Sequence, residues 1–213
     1  MSFVAELTAL LPTDLPHREN VIALAARHLD LIVQTNAVMN LTRILEPREA
    51  AIKHVLDSVM PWRMFAGARD VADAGTGPGF PGIPLALTLP EVRFTLLDAT
   101  QKKARFVASV VEELGLQNVT VVPQRAEEWL HKHSPQIVTG RAVAPLHKAI
   151  AFFSPGLRGG GRVLLYKGPD AETEIEEARP EAKRKHVQFR VVSRYELPDG
   201  LGERTLVEMQ RAT

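Results

Sequence analysis

Between Pro16 and Met39 the apolar residues Val21, Leu24, Ala25, Leu29, Ile32 and Val33 recur at helical intervals, with no glycine among them. That spacing gathers them on one face of a helix. After a turn around Asn40 to Pro47, the residues Ile52, Val55, Leu56 and Val59 repeat the period. Roughly the first sixty residues are therefore expected to be helical. Beyond them the pattern changes to short apolar runs at 69–74, 92–97, 119–122, 137–139 and 162–166, which predict strands. The segments 82–89, 101–114, 126–132 and 145–153 predict helices between them. Such alternation implies parallel strands joined by right-handed crossovers. A last helix at 171–178 precedes strands at 187–192 and 204–209, joined through the turn-forming Pro198, Asp199, Gly200 and Gly202. The expected class is α/β: a mostly parallel sheet over 63–213, closed by an antiparallel hairpin, with a helical N-terminal extension over 1–62.

The chain of 213 residues, 45% apolar and 24% charged, suits one well-packed α/β domain with a helical addition, and leaves no room for a second catalytic domain. No stretch approaches the about eighteen uninterrupted apolar residues of a membrane helix. Residues 1–11 hold Glu6 and no basic residue ahead of an apolar run, so a secretory signal is not expected and the cytoplasm is. The absence of cysteine excludes disulfides, iron–sulfur clusters, thiolate zinc sites and a cysteine nucleophile; no metal is expected, and a monomer is. With a net charge of only +1, any polyanion partner must be argued from where the charges fall. The basic run Lys183, Arg184, Lys185, His186 reads as a solvated helix end.

Chemistry enters at residues 71–82, Val-Ala-Asp-Ala-Gly-Thr-Gly-Pro-Gly-Phe-Pro-Gly, between a predicted strand and a predicted helix. Glycines there let the backbone turn sharply and approach a ligand, which the helix start also faces. Gly77-x-Gly79-x-x-Gly82 meets the dinucleotide fingerprint, and Asp73-x-Gly75-x-Gly77-x-Gly79 meets that of methyltransferases; spacing leaves both open. Pro78 and Pro81 remove N–H donors that a pyrophosphate would want, and Asp73 sets an acid beside the loop. Both features favour a cationic ligand without phosphate, such as S-adenosylmethionine, whose product is S-adenosylhomocysteine. Asp98 ends the next strand about twenty residues on, where a carboxylate accepts hydrogen bonds from ribose hydroxyls, although it is also placed to cap a helix. A dinucleotide oxidoreductase would lack a substrate domain, and a non-catalytic binding module would leave the loop and Asp98 without a purpose.

Residues just past the strands face the same crevice. Arg125, Arg141 and Lys167 follow the third, fourth and fifth strands, and are expected to position a polyanion along one rim. Lys102, Lys103 and Arg105 extend that footprint as phosphate contacts. Methylation at C5 of a pyrimidine proceeds through a cysteine adduct, which this chain cannot form. The fourth strand leads into Gly140-Arg141-Ala142-Val143-Ala144-Pro145, not the Asn-Pro-Pro-aromatic loop of exocyclic-amine methylation. What remains is an atom with an available lone pair, such as a purine N7, or an oxygen activated by a base. An N7 acceptor needs no base, and proximity, alignment and electrostatics carry its catalysis. Trp62 and Trp129 are expected in packing roles, whereas Phe80 sits in the loop. His54 and Asp57, one helical turn apart, read as a surface pair at the domain junction.

Taken together, Asn40-Leu41-Thr42-Arg43, His54-Val55-Leu56-Asp57-Ser58, the loop from Gly75 to Pro84, Leu97-Asp98, Gly140-Arg141-Ala142, Lys167-Gly168 and Gly202-Glu203-Arg204 resemble one family over nearly the whole chain. It is that of the small-subunit ribosomal RNA guanine-N7 methyltransferases, also called glucose-inhibited division protein B. The resemblance implies a Rossmann-like class I methyltransferase domain under a helical extension, acting on 16S ribosomal RNA or the small ribosomal subunit. It implies cofactor contacts at Gly75, Phe80, Ala126, Glu127 and Arg141, beside Gly77, Gly79 and Asp98 of the loop reading. RNA contacts are implied at Arg125, Lys167, Arg204 and His54, with Arg43, Lys102 and Arg105 as further candidates. One departure is Thr205, where many relatives carry histidine.

Overall fold

The computed structural model of the protein describes residues 2–212. Helices α1 (Phe3–Leu10) and α2 (Arg18–Met39) lead into a rod made of α3 (Pro47–Ala50), a π-helical stretch (Ala51–Leu56) and α4 (Asp57–Val59). Glu46 starts that rod, its carboxylate accepting the Glu49 N–H at 2.7 Å with Pro47 at the first helical position. Then follow β1 (Asp70–Ala74), α5 (Gly82–Thr88), β2 (Arg93–Leu97), α6 (Gln101–Glu113), β3 (Val119–Val122) and α7 (Ala126–Leu130). The chain continues with β4 (Ile137–Arg141), α8 (Leu146–Phe153), β5 (Arg162–Lys167), α9 (Ala171–Arg184), β6 (Val187–Leu197) and β7 (Gly202–Arg211). No helix among the described residues is long and apolar enough to cross a membrane.

The sheet has seven strands in the order β3-β2-β1-β4-β5-β7-β6. The pairs among β1 to β5 are parallel, and β7 runs antiparallel to both β5 and β6. The expected mostly parallel sheet with a closing hairpin is therefore what forms. Its order reverses between β1 and β4, and at such a switch point the loops leaving adjacent strands diverge and open a crevice.

Two elements run further than their sequence pattern suggests. Strand β6 reaches Leu197, because a register shift between Val191 and Ser193 opposite β7 resets which side chains face inward. A bulge breaks the alternation on which a strand is read from sequence. Helix α9 continues through Pro180 to Arg184. Pro180 forgoes one helical hydrogen bond, while Ala178 and Ala182, on either side of it, remain buried against the sheet.

Both faces of the sheet are covered, as the alternation of Leu164 and Tyr166 with Val163 and Leu165 on β5 requires. One core joins Leu7, Val21, Leu29 and Ile52 of the N-terminal helices to Ile83, Leu96 and Leu206 around the sheet. The other joins Val138, Val163 and Val207 to Leu146, Ile150 and Phe153. A shared core predicts shared stability. Ile52, which is 0% exposed, leaves a cavity when changed to alanine, costing about 2–5 kcal/mol. Chemical denaturation of Ile52→Ala is expected to show one cooperative transition at a lower midpoint; an early transition confined to the helical segment would contradict the shared core.

Candidate active site

The glycine loop leaves β1 in a conformation that its own hydrogen bonds explain. The N–H groups of Gly75 and Thr76 both donate to Leu97 O, at 2.8 and 2.9 Å, and those of Gly79 and Phe80 donate to Thr76 O. Gly77 N–H donates to Asp98 Oδ2 at 3.0 Å, and Gly82 N–H to Asp73 Oδ2 at 2.9 Å. Pro78 and Pro81 have no N–H to give, so every backbone N–H between 75 and 82 already has a partner within the protein. A pyrophosphate held by free loop amides, as the dinucleotide fingerprint requires, finds none here. Gly75 has φ +71°, which a side chain rarely adopts, and Gly82 permits close contact: a Cβ there would lie 2.2 Å from Leu96 Cδ2.

Asp73 does not face a ligand. It is 0% exposed and caps the start of α5 through Gly82, with burial pushing its carboxyl pKa up to about 6. The acid that does reach the crevice is Asp98, which also receives the Thr100 N–H on Oδ1 at 2.7 Å. These two bonds fix its orientation and leave further lone pairs for a ligand. Asp98 lines a cavity of about 270 Å³ together with Gly75, Ala126, Glu127, Val143 and Phe152. The Phe152 ring, 38% exposed, gives this polar cleft a flat apolar wall. The sequence reading missed Phe152 because it falls in an amphipathic helix, where an aromatic residue looks like core.

A second cavity of about 460 Å³ opens beyond β4 and β5, lined by His54, Asp57, Arg141, Lys167, Glu174 and Arg204. Its organising group is Asp57. This carboxylate is buried and receives Arg141 Nη1 at 2.9 Å, Tyr195 Oη at 2.9 Å and Arg204 Nε at 3.5 Å. Burial and the adjacent Asp57 hold the Tyr195 phenol well above its ordinary pKa, so it remains a donor. Arg141 also donates to Lys53 O at 2.6 Å. Lys167 Nζ donates to Ala144 O at 2.7 Å and Glu174 Oε2 at 2.6 Å.

Under this cavity the Phe80 ring lies between two imidazoles, with centroids 4.8 Å from His28 and 4.6 Å from His54, and the Arg141 guanidinium carbon 5.6 Å from its own centroid. His28 Nε2 meets Pro78 O at 2.8 Å, and His54 Nε2 meets Thr42 Oγ1 at 3.2 Å. Burial pushes His28 down to about 4; burial and then the Arg141 charge push His54 down to about 3. Both rings are neutral near pH 7.

Several expectations are redrawn by these placements. Arg125, Arg141 and Lys167 do not share one rim: Arg125 is exposed at the Asp98 cavity, and the other two line the neighbouring one. Arg141 turns away from the Asp98 cavity because Asp57 and Lys53 O hold its guanidinium. The Phe80 side chain is 3% exposed and stacked inward, and Gly77 and Gly79 serve the loop's internal geometry. Asp57 is buried, not a surface partner of His54. Lys102 and Arg105 lie on α6 in a separate groove with Thr35 and Met39, and Arg43 is exposed on the loop before α3. Thr205 is buried in β7, paired with Lys167. Trp62 and Trp129 pack at the edges of the two cores.

Comparison with known proteins agrees with this geometry. Residues 21–200 match the family described as rRNA small subunit methyltransferase G. The chain is 65% identical over 210 residues to a ribosomal RNA small subunit methyltransferase G of Solibacter usitatus, covering 99% of this chain and 100% of that one. It is 39% identical to a protein of the same name from Carboxydothermus hydrogenoformans, over 87% of this chain and 81% of the other. Among solved structures it resembles a ribosomal protein L11 methylase from Lactobacillus delbrueckii subsp. bulgaricus, with a TM-score of 0.56, 15% identity and coverage of 75% and 79%. An rRNA methylase from Streptococcus thermophilus gives a TM-score of 0.51 at 16% identity, over 76% of this chain and 99% of that one. At such identities the likeness concerns the fold alone.

Two measurements follow from the site's construction. A Gly82→Ala substitution overpacks the joint between loop and β2, and is expected to destabilise by about 1–3 kcal/mol in denaturant titration; an unchanged midpoint would deny the close contact. Acid should also weaken the fold. His28 and His54, with depressed folded pKa values, contribute stability that is present above about pH 6.5 and lost as pH falls. Asp73 has the opposite sign, its contribution growing as pH falls through about 6, but one carboxyl does not offset two imidazoles. A net loss on the order of 2–3 kcal/mol by pH 5, or roughly 5–10 °C in Tm, is expected by calorimetry. A melting temperature that is level from pH 7 to 5 would mean the imidazoles are not buried neutral.

Proposed function

The chain belongs to the rRNA small subunit methyltransferase G family, and from that membership we propose that it moves a methyl group from S-adenosylmethionine to N7 of a guanine in 16S ribosomal RNA, in the cytoplasm. The observation that carries the cofactor assignment is the loop in which no N–H is left over for phosphate, with a carboxylate fixed at its mouth. A ligand with ribose hydroxyls and cationic groups suits that arrangement, and a pyrophosphate does not.

In this reading Asp98 accepts from the ribose hydroxyls, Gly75 lets the ligand pass close to the backbone, and Phe152 and Ala126 offer apolar contact to its base. When bound, S-adenosylmethionine supplies a sulfonium methyl: the N7 lone pair bonds to its carbon, the carbon–sulfur pair returns to sulfur, and no proton is released. The protein therefore needs no general base. Its own contribution is alignment and charge. Arg141 and Arg204, held by Asp57, and Lys167, held by Glu174, present a basic wall to the RNA, and Arg125 at the neighbouring cavity meets its backbone. Arg43, Lys102 and Arg105 serve as outlying phosphate contacts. His54 acts through packing against Phe80.

The decisive experiment incubates the protein with radiolabelled S-adenosylmethionine and small subunits that lack the modification, then digests the RNA. Label is expected in 7-methylguanosine, and label in any other nucleoside would overturn the assignment. Asp98→Ala is expected to weaken S-adenosylhomocysteine binding about 10–100-fold by titration calorimetry, the scale of hydrogen bonds to a charged acceptor. Unaltered affinity would remove Asp98 from the cofactor site.

A further inference from the structure

The basic cavity beyond β4 and β5 carries two acids, and they are not equivalent. Asp57 is buried, and both its oxygens are taken by Arg141, Tyr195 and Arg204. Glu174, in the first turn of α9, has a side chain 26% exposed. Its Oε2 is occupied twice, by Lys167 Nζ at 2.6 Å and by the Leu146 N–H at 2.9 Å. Its Oε1 has no hydrogen-bond partner among the described residues. The carboxylate is thus pinned by one oxygen while the other is open, in a cavity whose remaining charged groups, Lys53, Arg141, Lys167 and Arg204, are cations.

Cations and amides suffice to hold an RNA chain, but they cannot distinguish one purine from another by its proton donors. Guanine presents N1–H and an amino group on its Watson–Crick edge, where adenine presents an unprotonated N1. An open carboxylate oxygen accepts from the first and opposes the lone pair of the second. Resting on the guanine-N7 reading above, we infer that Glu174 is a specificity-determining residue: Oε1 accepts a hydrogen bond from N1–H or the 2-amino group of the target guanine, drawn out of its stack into this cavity. The same bond favours reaction. Methylation at N7 leaves the purine cationic, which makes its N–H groups stronger donors, so the bond to a carboxylate tightens as the transition state forms. Lys167 keeps the carboxylate in place, so the two act as one unit.

The test compares three substrates in reconstituted small subunits, after the modified position has been mapped: guanine, inosine (which lacks the amino group) and 2-aminopurine (which lacks N1–H and O6, so that only the part of its penalty removed with Glu174 reports on N1–H). The wild-type protein should lose about tenfold or more in kcat/KM on at least one analogue, as for a hydrogen bond to a charged group. In Glu174→Ala that penalty should shrink to near unity, and in Glu174→Gln, whose amide oxygen is a neutral and weaker acceptor, it should fall between that and the wild-type value, with guanine turnover lowered more in kcat than KM is raised. A merely structural role lowers all three substrates in parallel, and penalties that persist in both variants would overturn the inference. So would a wild-type protein indifferent to both analogues while still methylating guanine at N7, and that result leaves the guanine reading standing. No label at guanine N7 from the wild type fails the guanine reading itself, and the inference with it. S-adenosylhomocysteine binding of each variant should match the wild type, Glu174 lying outside the Asp98 cavity, while melting of Glu174→Ala should fall by a few degrees, since Lys167 Nζ and the Leu146 N–H lose their acceptor.

Discussion

A carboxylate can be buried only where cations and donors replace the water it loses, and Asp57 meets that condition with partners from three distant parts of the chain. Arg141 comes from the end of β4, Tyr195 from β6 and Arg204 from β7, while Asp57 itself belongs to the N-terminal helical rod. Removing one partner of such a group costs about 3–5 kcal/mol, because the remaining charge stays buried without compensation. The helical segment, the crevice edge and the closing hairpin are thereby held in one relation to each other. Arg48 adds a lighter tie of the same kind, joining Glu6 of α1 to Asp199 in the hairpin turn. Its partly exposed bonds contribute less.

That relation creates two cavities of different character beside one another. At the Asp98 cavity the N–H groups of the glycine loop already have partners within the protein, so recognition falls to a carboxylate, apolar walls and the uncapped start of α7. At the Arg141 cavity the charges are plentiful but tethered: Arg141 to Asp57 and Lys53 O, Lys167 to Glu174 and Ala144 O. Tethered cations lose little freedom when a polyanion arrives. The His28–Phe80–His54 stack lies beneath the Arg141 cavity. It transmits the position of α2 and the π-helical stretch to the glycine loop, since His28 also bonds Pro78 O.

The sequence by itself determined the alternation of helices and strands, the parallel sheet with its closing hairpin, and the glycine loop with Asp98 beyond it. These depend on local periodicity and on backbone rules at glycine and proline, which act over a few neighbouring residues. The ends of β6 and α9 were less legible, because a bulge and an internal proline interrupt the very periods that mark such elements. Only the tertiary structure decided which acids are buried and which keep an open oxygen at a cavity. Asp73 and Asp57 read as available carboxylates and are buried, while Glu174, an ordinary residue of a charged helix in sequence, stands open in the basic cavity. It also separated Arg125 from Arg141 and Lys167, and turned Phe80 inward between two histidines. Burial and hydrogen-bond partners are set by residues tens to more than a hundred positions apart, and no local pattern carries that information.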